Sequence, residues 1–289
     1  MRPAAPYTID VSRVFPLLLL ICCLHPIAGQ GASDKRNAGP AWTGQRLVDR
    51  ALANELAAAE DHSHPMRYRL RKTTPRRTTT RQIVETRDGD VAKLVAIADQ
   101  PLVPAAEARE EARLNSLLED PAKQGWRKQA EDADTLRALK VLRALPRAFL
   151  YHDDGPGQEP AGPVEKFTFR PNPAYSPSSL ETQVLPAMTG EIWIDPLHLR
   201  VVWLQARIER DVNFGWGILG RLDRGGWIAI QQANVGEDQW RTVRFQMRMT
   251  GRVLFKTRVF DTTEEQTQFA PVPAGIGYRD AVAMLLAGR

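Results

Sequence analysis

The chain has 289 residues, 43% of them hydrophobic, and carries a formal net charge of +5. Its two cysteines, Cys22 and Cys23, are adjacent and near the start, so everything after them lacks disulfides, thiolate metal sites and thiol nucleophiles. The positive excess is mild; it permits attraction to an anionic lipid or polymer without demanding it.

Arg2 and Arg13 make a weakly basic beginning, diluted by Asp10, and an apolar core runs from Val14 to Leu24. Small residues follow in Pro26-Ile27-Ala28-Gly29-Gln30. The apolar core is about half the ~20 residues a membrane-spanning helix needs, which favours a cleavable export signal over an anchor. Residues 1–29 are therefore expected to be a signal removed after Gly29. Ile21 before Cys22 and Cys23 after it argue against bacterial lipidation. Cleavage would remove both cysteines together with Arg2, Arg13 and Asp10, taking the charge from +5 to +4. Roughly 260 residues remain, ample for a core without covalent staples.

Gln30 to Pro40 is small and polar and reads as a flexible lead-in. A helix is expected from a Thr43 cap to Glu60, with Leu47, Val48, Ala51, Leu52, Glu55 and Leu56 on one mostly apolar stripe. From His64 the period becomes two: Met66, Tyr68 and Leu70 alternate with Arg67, Arg69 and Arg71, a half-buried strand with a basic outer face. Arg81–Thr86 and Val91–Ala98 flank Asp88-Gly89, which predicts a hairpin because glycine accepts the positive φ of the turn. Residues 104–145 are helical in composition, with a break at Pro121. Asp153-Asp154-Gly155-Pro156-Gly157 and Pro160-Ala161-Gly162-Pro163 read as loop. The second half reads as successive antiparallel strands: Phe167–Phe169, Gly190–Ile194, His198–Ile208, Trp227–Ile230, and Thr242–Met249 with near-perfect alternation. Thr250-Gly251 is expected to turn the chain into Val253–Phe260, and Asp280–Leu286 to form a last helix.

Several motifs invite chemistry. Gly215-Trp216-Gly217-Ile218-Leu219-Gly220 has the spacing of a dinucleotide loop, but that loop must open a helix, and Gly225-Gly226 follow too soon. A strand bend is the expected reading. His62-Ser63-His64 offers two imidazoles, with His152, Asp153 and Asp154 elsewhere, yet no third ligand sits at a diagnostic spacing, so no metal is expected. No serine lies in a G-x-S-x-G elbow, and Asp153-Asp154 reads as a solvated turn rather than an acid–base pair. Neither a catalytic site nor a cofactor is expected. Arg67, Arg69 and Arg71 are candidates for an anionic partner, lipid or polymer rather than nucleic acid, since few aromatics are interleaved for base stacking.

The aromatic content of the second half is the strongest functional signal. Trp193, Val201, Trp203, Phe214, Trp216, Trp227, Phe245 and Phe255 fall on or beside predicted strands, and Val201-Val202-Trp203-Leu204 is apolar on both faces. A sheet with two apolar faces must cover both or curl around something. These eight residues are the candidates for an apolar ligand cavity.

Met188-Thr189-Gly190-Glu191-Ile192-Trp193-Ile194-Asp195, its return Leu199–Val202, and the Val84–Gly89 hairpin together resemble the LolA/LolB/RseB-like superfamily of periplasmic lipoprotein-sorting proteins. Val212–Gly220, V-N-F-G-W-G-I-L-G, is also similar to a segment of acidobacterial hypothetical proteins. The resemblance implies an α+β fold: a strongly bent antiparallel sheet, an unclosed barrel, covered by helices over residues 41–289 as a single domain. It implies a periplasmic, non-catalytic carrier or sensor of lipid or lipoprotein acyl chains, expected to be a monomer; the alternative reading is an envelope interaction protein that binds an anionic polymer or a protein partner through its basic strand face. The helical stretch 104–145 is longer than the small members carry, and no ligand contact transfers residue by residue.

Overall fold

The computed structural model describes residues 44–214, 220–253 and 256–288. The expected export signal, lead-in and Thr43 cap fall outside the described residues, as do Gly215–Leu219 of the glycine motif, Trp216 and Phe255. In chain order the elements are α1 (Gln45–Glu60), β1 (Met66–Thr74), β2 (Arg77–Val84), β3 (Val91–Ile97), β4 (Gln100–Pro101), α2 (Pro104–Glu119), α3 (Pro121–Ala148), β5 (Phe149–Glu159) and β6 (Gly162–Pro171). A 3-10 turn (Glu181–Ala187) leads to β7 (Met188–Asp195), β8 (Arg200–Ile208), β9 (Val212–Phe214), β10 (Gly220–Leu222), β11 (Trp227–Asn234), β12 (Trp240–Val253), β13 (Lys256–Pro271) and α4 (Tyr278–Leu286).

The strands form a large antiparallel sheet in the order β4-β3-β2-β1-β13-β12-β11-β8-β7-β6-β5, with β9 and β10 off this path. It does not close into a barrel, since β4 and β5 end it with one neighbour each. The chain divides into two compact units, Asp61–Leu136 with everything from Thr263 on, and Arg137–Thr262 with the helix before Asp61.

In the first unit the alternation of β1 is realised: Met66, Tyr68 and Leu70 are buried while Arg69 is exposed. Asp88-Gly89 does turn β2 into β3, with Gly89 at φ +92°. The Gln124 side chain of α3 donates to the carbonyls of Asp88 and Gly89 at 2.9 and 3.2 Å, which seats the helix on that turn. The break between α2 and α3 falls at Asp120, whose φ −128°, ψ 84° is the non-helical conformation that a following proline enforces. Val84 and Val91 pack with Leu114 and Leu117 of α2 and Ala281, Val282 and Leu285 of α4. On the opposite side Tyr68, Leu70 and Ile83 form a second apolar cluster. Beside it lies a nearly buried ion pair, Lys72 Nζ to Glu264 Oε1 at 2.6 Å.

In the second unit three expectations need correction. Residues 153–157 are not loop: they form the outer half of β5, paired from Phe149↔Pro171 to Glu159↔Gly162, with a register shift between Asp153 and Gly155. β5 is the last strand of the sheet, so Pro156 needs no donor on its far side and the glycines fit a bulged edge. Nor do Thr250-Gly251 turn the chain. β12 runs through them to Val253, where its end pairs with β10 (Leu222↔Gly251, Gly220↔Val253). Gly162 and Pro163, also read as loop, are the first residues of β6, paired with Glu159 and Gln158 of β5. Gly190 is indispensable to this packing: a Cβ there would stand 1.9 Å from the Gln205 carbonyl oxygen and 2.7 Å from the Phe169 ring.

Candidate ligand-binding surfaces

Residues paired across antiparallel strands project from the same face, so the register reads out both faces of the second unit. One row runs Phe167↔Ile192↔Leu204↔Ile230↔Phe245 over β6, β7, β8, β11 and β12. Every side chain in it is buried, at 1, 1, 6, 2 and 2% exposure. The neighbouring row on that face adds Phe169, Ala206, Ile228 and Met247, all buried. This inner face is apolar from edge to interior.

Helix α1 lies on that face, against β5, β7 and β8. Its start is pressed to the sheet at Gly44 (φ +90°), where a Cβ would stand 2.3 Å from the Phe167 ring. The helix buries only Val48, Ala51, Leu52 and Glu55. Glu55, 5% exposed, is a carboxylate in an apolar interface, and it is fully engaged. Arg200 donates from Nε to Oε1 at 2.8 Å and from Nη2 to Oε2 at 3.1 Å. The Val201 N–H reaches Oε1 and the Gln232 amide reaches Oε2, each at 3.0 Å. Asn54 adds a bond to the Leu199 carbonyl at 3.1 Å. A buried charge survives only when paired and hydrogen-bonded, and this one is held by four donors from two strands. The sequence showed Glu55 only as one position of an apolar stripe, and that misfit was the available signal.

The opposite face has another character. Its central row runs Lys166↔Trp193↔Trp203↔Gln231↔Arg244, with both indoles half-buried. The Trp rings lie 5.8 Å apart at 37°, and the Lys166 ammonium sits 3.8 Å from the Trp193 ring centre. The indole N–H of Trp193 donates to Glu191 at 3.0 Å. Trp193 and Trp203 wall an open cleft of about 270 Å³ closed on one side by the Pro160–Pro163 hairpin.

The apolar candidates therefore divide. Val201 and Phe245 belong to the inner face, Trp193, Trp203 and Trp227 to the outer one, where Trp227 pairs with Arg207 and Arg248. The switch within β8 comes from a register shift at Trp193/Ile194, which leaves Val202 unpaired and puts Val201 and Leu204 on one side and Trp203 on the other. Phe214 is buried on β9, opposite Gly220. Trp216 and Phe255 lie outside the described residues.

The strands on either side of the glycine motif, β9 and β10, pair antiparallel, so the motif joins a hairpin and not a strand to a helix. Of the basic strand, Arg71 is committed: its guanidinium holds Asp99 Oδ2 at 2.8 Å and Glu265 Oε2 at 3.0 Å. Its hydrogen bond keeps the Asp99 carboxyl below its ordinary value. Arg67 and Arg69 have no ion-pair partner among the described residues. Ser63 Oγ lies 2.7 Å from His64 Nδ1, and its N–H donates to Asp61, which ties the His62–His64 segment into a local turn. Among the described residues no three His, Cys, Asp or Glu side chains stand together as a metal site. Asp153 accepts the Gly155 N–H at 2.9 Å. No helix among the described residues is long and apolar enough to cross a membrane.

No family model and no curated protein matches the chain. Among solved structures, it is similar to a domain from Vibrio parahaemolyticus assigned to outer membrane lipoprotein sorting, at 12% identity and a TM-score of 0.32. The match covers 84% of this chain and 100% of that one.

Proposed function

We propose that the chain is an exported, non-catalytic carrier or sensor of lipid or lipoprotein acyl chains, with α1 as the lid over its binding face. The observation that carries the reading is the continuous apolar row Phe167–Ile192–Leu204–Ile230–Phe245 beneath a helix that buries four residues, one of them charged. An acyl chain laid on that face would replace the contacts of Val48, Ala51 and Leu52 at about 25 cal/mol for each Å² of apolar surface kept dry. The Glu55–Arg200 clamp would hold the empty state shut and release into water as the helix lifts. The resemblance of Met188–Asp195 and its return strand to the lipoprotein-sorting superfamily supports the same reading.

The test is lipid extraction and native mass spectrometry of protein purified from its own host, with titration of a fluorescent fatty acid into wild type and Glu55→Ala. Co-purifying lipid, saturable binding, and roughly tenfold or greater gain in apparent affinity for Glu55→Ala are expected, because unclamping raises the fraction of open protein. If no lipid co-purifies and neither protein binds the fatty acid, the carrier reading fails.

A further inference from the structure

The outer face of the second unit is unaccounted for by an acyl-chain site on the inner one. Next to the Trp193–Trp203 cleft lies a second, larger concavity of about 520 Å³ on the same face. Its walls include His152, Thr168, Glu191, Gln205, Arg207 and Glu209. The two hollows adjoin: Glu191 lines one and Trp193 the other, two residues apart on β7 and hydrogen-bonded to each other. Together they form a groove with an indole floor at one end and hydroxyl, amide, carboxylate and guanidinium groups along the rest.

The make-up of this groove narrows its ligand. An acyl chain would desolvate Glu191, Gln205 and Arg207 without returning a hydrogen bond, at a cost of kilocalories for each group. A polyanion would meet Glu191 and Glu209 as well as Arg170 and Arg207, so the groove is balanced in charge and lacks the single sign that polyanion binding needs. A peptide adding itself as a strand needs a free backbone edge, and β6, β7 and β8 are paired on both sides. What fits is a ligand that presents one apolar face to an indole and a rim of hydroxyls to groups that both donate and accept.

We propose that this groove binds an uncharged saccharide, one ring seated against Trp203 and its hydroxyls held by Glu191, Gln205 and Arg207. Trp227, flanked by Arg207 and Arg248 two rows along from Trp203, lies on the same face toward a second sugar unit. The hydrogen bond from Trp193 to Glu191 fixes the carboxylate in place before any ligand arrives. This site does not depend on the acyl-chain reading, since it uses the other side of the same strands.

The experiment is calorimetric titration of the protein with chitotetraose, cellotetraose and maltotetraose, with intrinsic fluorescence recorded in parallel. At least one is expected to bind saturably and perturb tryptophan emission. Trp203→Ala and Gln205→Ala should each weaken that binding tenfold or more, and Trp203→Tyr, which keeps a ring, should retain most of it. Far-UV circular dichroism of the variants guards against loss of fold. The inference is overturned if none of the three sugars binds, if binding is indifferent to Trp203→Ala, or if only a polyanion such as heparin binds. Fatty-acid titration of Trp203→Ala, expected to match wild type, keeps this outcome separate from that of the lid.

Discussion

At the scale of single residues, the clamp at Glu55 is where the chain departs most from an economical core. Removing the carboxylate leaves Arg200, 13% exposed, and the Gln232 amide without their partner. Breaking a buried pair from one side costs about 3–5 kcal/mol. Glu55→Ala should lower the unfolding free energy by that order, read as a lower urea midpoint with an unchanged m-value, and Glu55→Gln should lose less, because an amide oxygen still accepts from the Val201 N–H. An unchanged midpoint for Glu55→Ala would show that the clamp is solvated. Asp195 offers a complementary test in pH. Burial pushes its carboxyl up, but hydrogen bonds from the His198 N–H and ring and from the Leu197 N–H outweigh that and leave it below the ordinary 3.8. A depressed folded value means that the stabilisation is complete above the ordinary value and is lost as pH falls through the folded one. Asp195→Asn should therefore narrow the stability gap between pH 6 and pH 3, read from urea midpoints at both.

Elements were legible wherever one local rule sufficed. Alternation marked β1 and β12, Asp88-Gly89 marked a turn, and Pro121 marked the gap between α2 and α3. What failed depended on neighbours far along the chain. Asp153–Gly157 has loop composition, yet it is a strand because it lies at the end of the sheet, a position that no local pattern encodes. Thr250-Gly251 resembles a turn, but three-residue β10 gives β12 a partner there and carries it onward. The candidate site suffered in the same way. The run Val201–Leu204 suggested two apolar faces, but a one-residue shift opposite Trp193 puts Val201 and Leu204 on the dry face and Trp203 on the polar one. Aromatic count thus merged two surfaces into one. The structure separates them into a dry face under α1 and a wet face with tryptophans.

For the molecule as a whole, both ends of the sheet are strands of unusual composition. β4 is two residues long and contains Pro101; β5 carries Gly155, Pro156 and Gly157. An open sheet of this size offers unsatisfied backbone donors and acceptors at each border, and any passing extended chain could take them. The prolines and glycines act as sentries: they interrupt the ladder that a second molecule would need. Borders of this kind leave a second copy of the chain no regular ladder to extend. Restoring a regular edge with Gly155→Val, Pro156→Val and Gly157→Thr together should produce concentration-dependent self-association in sedimentation velocity. A single sedimenting species at all concentrations would show that the border is guarded by something other than its backbone.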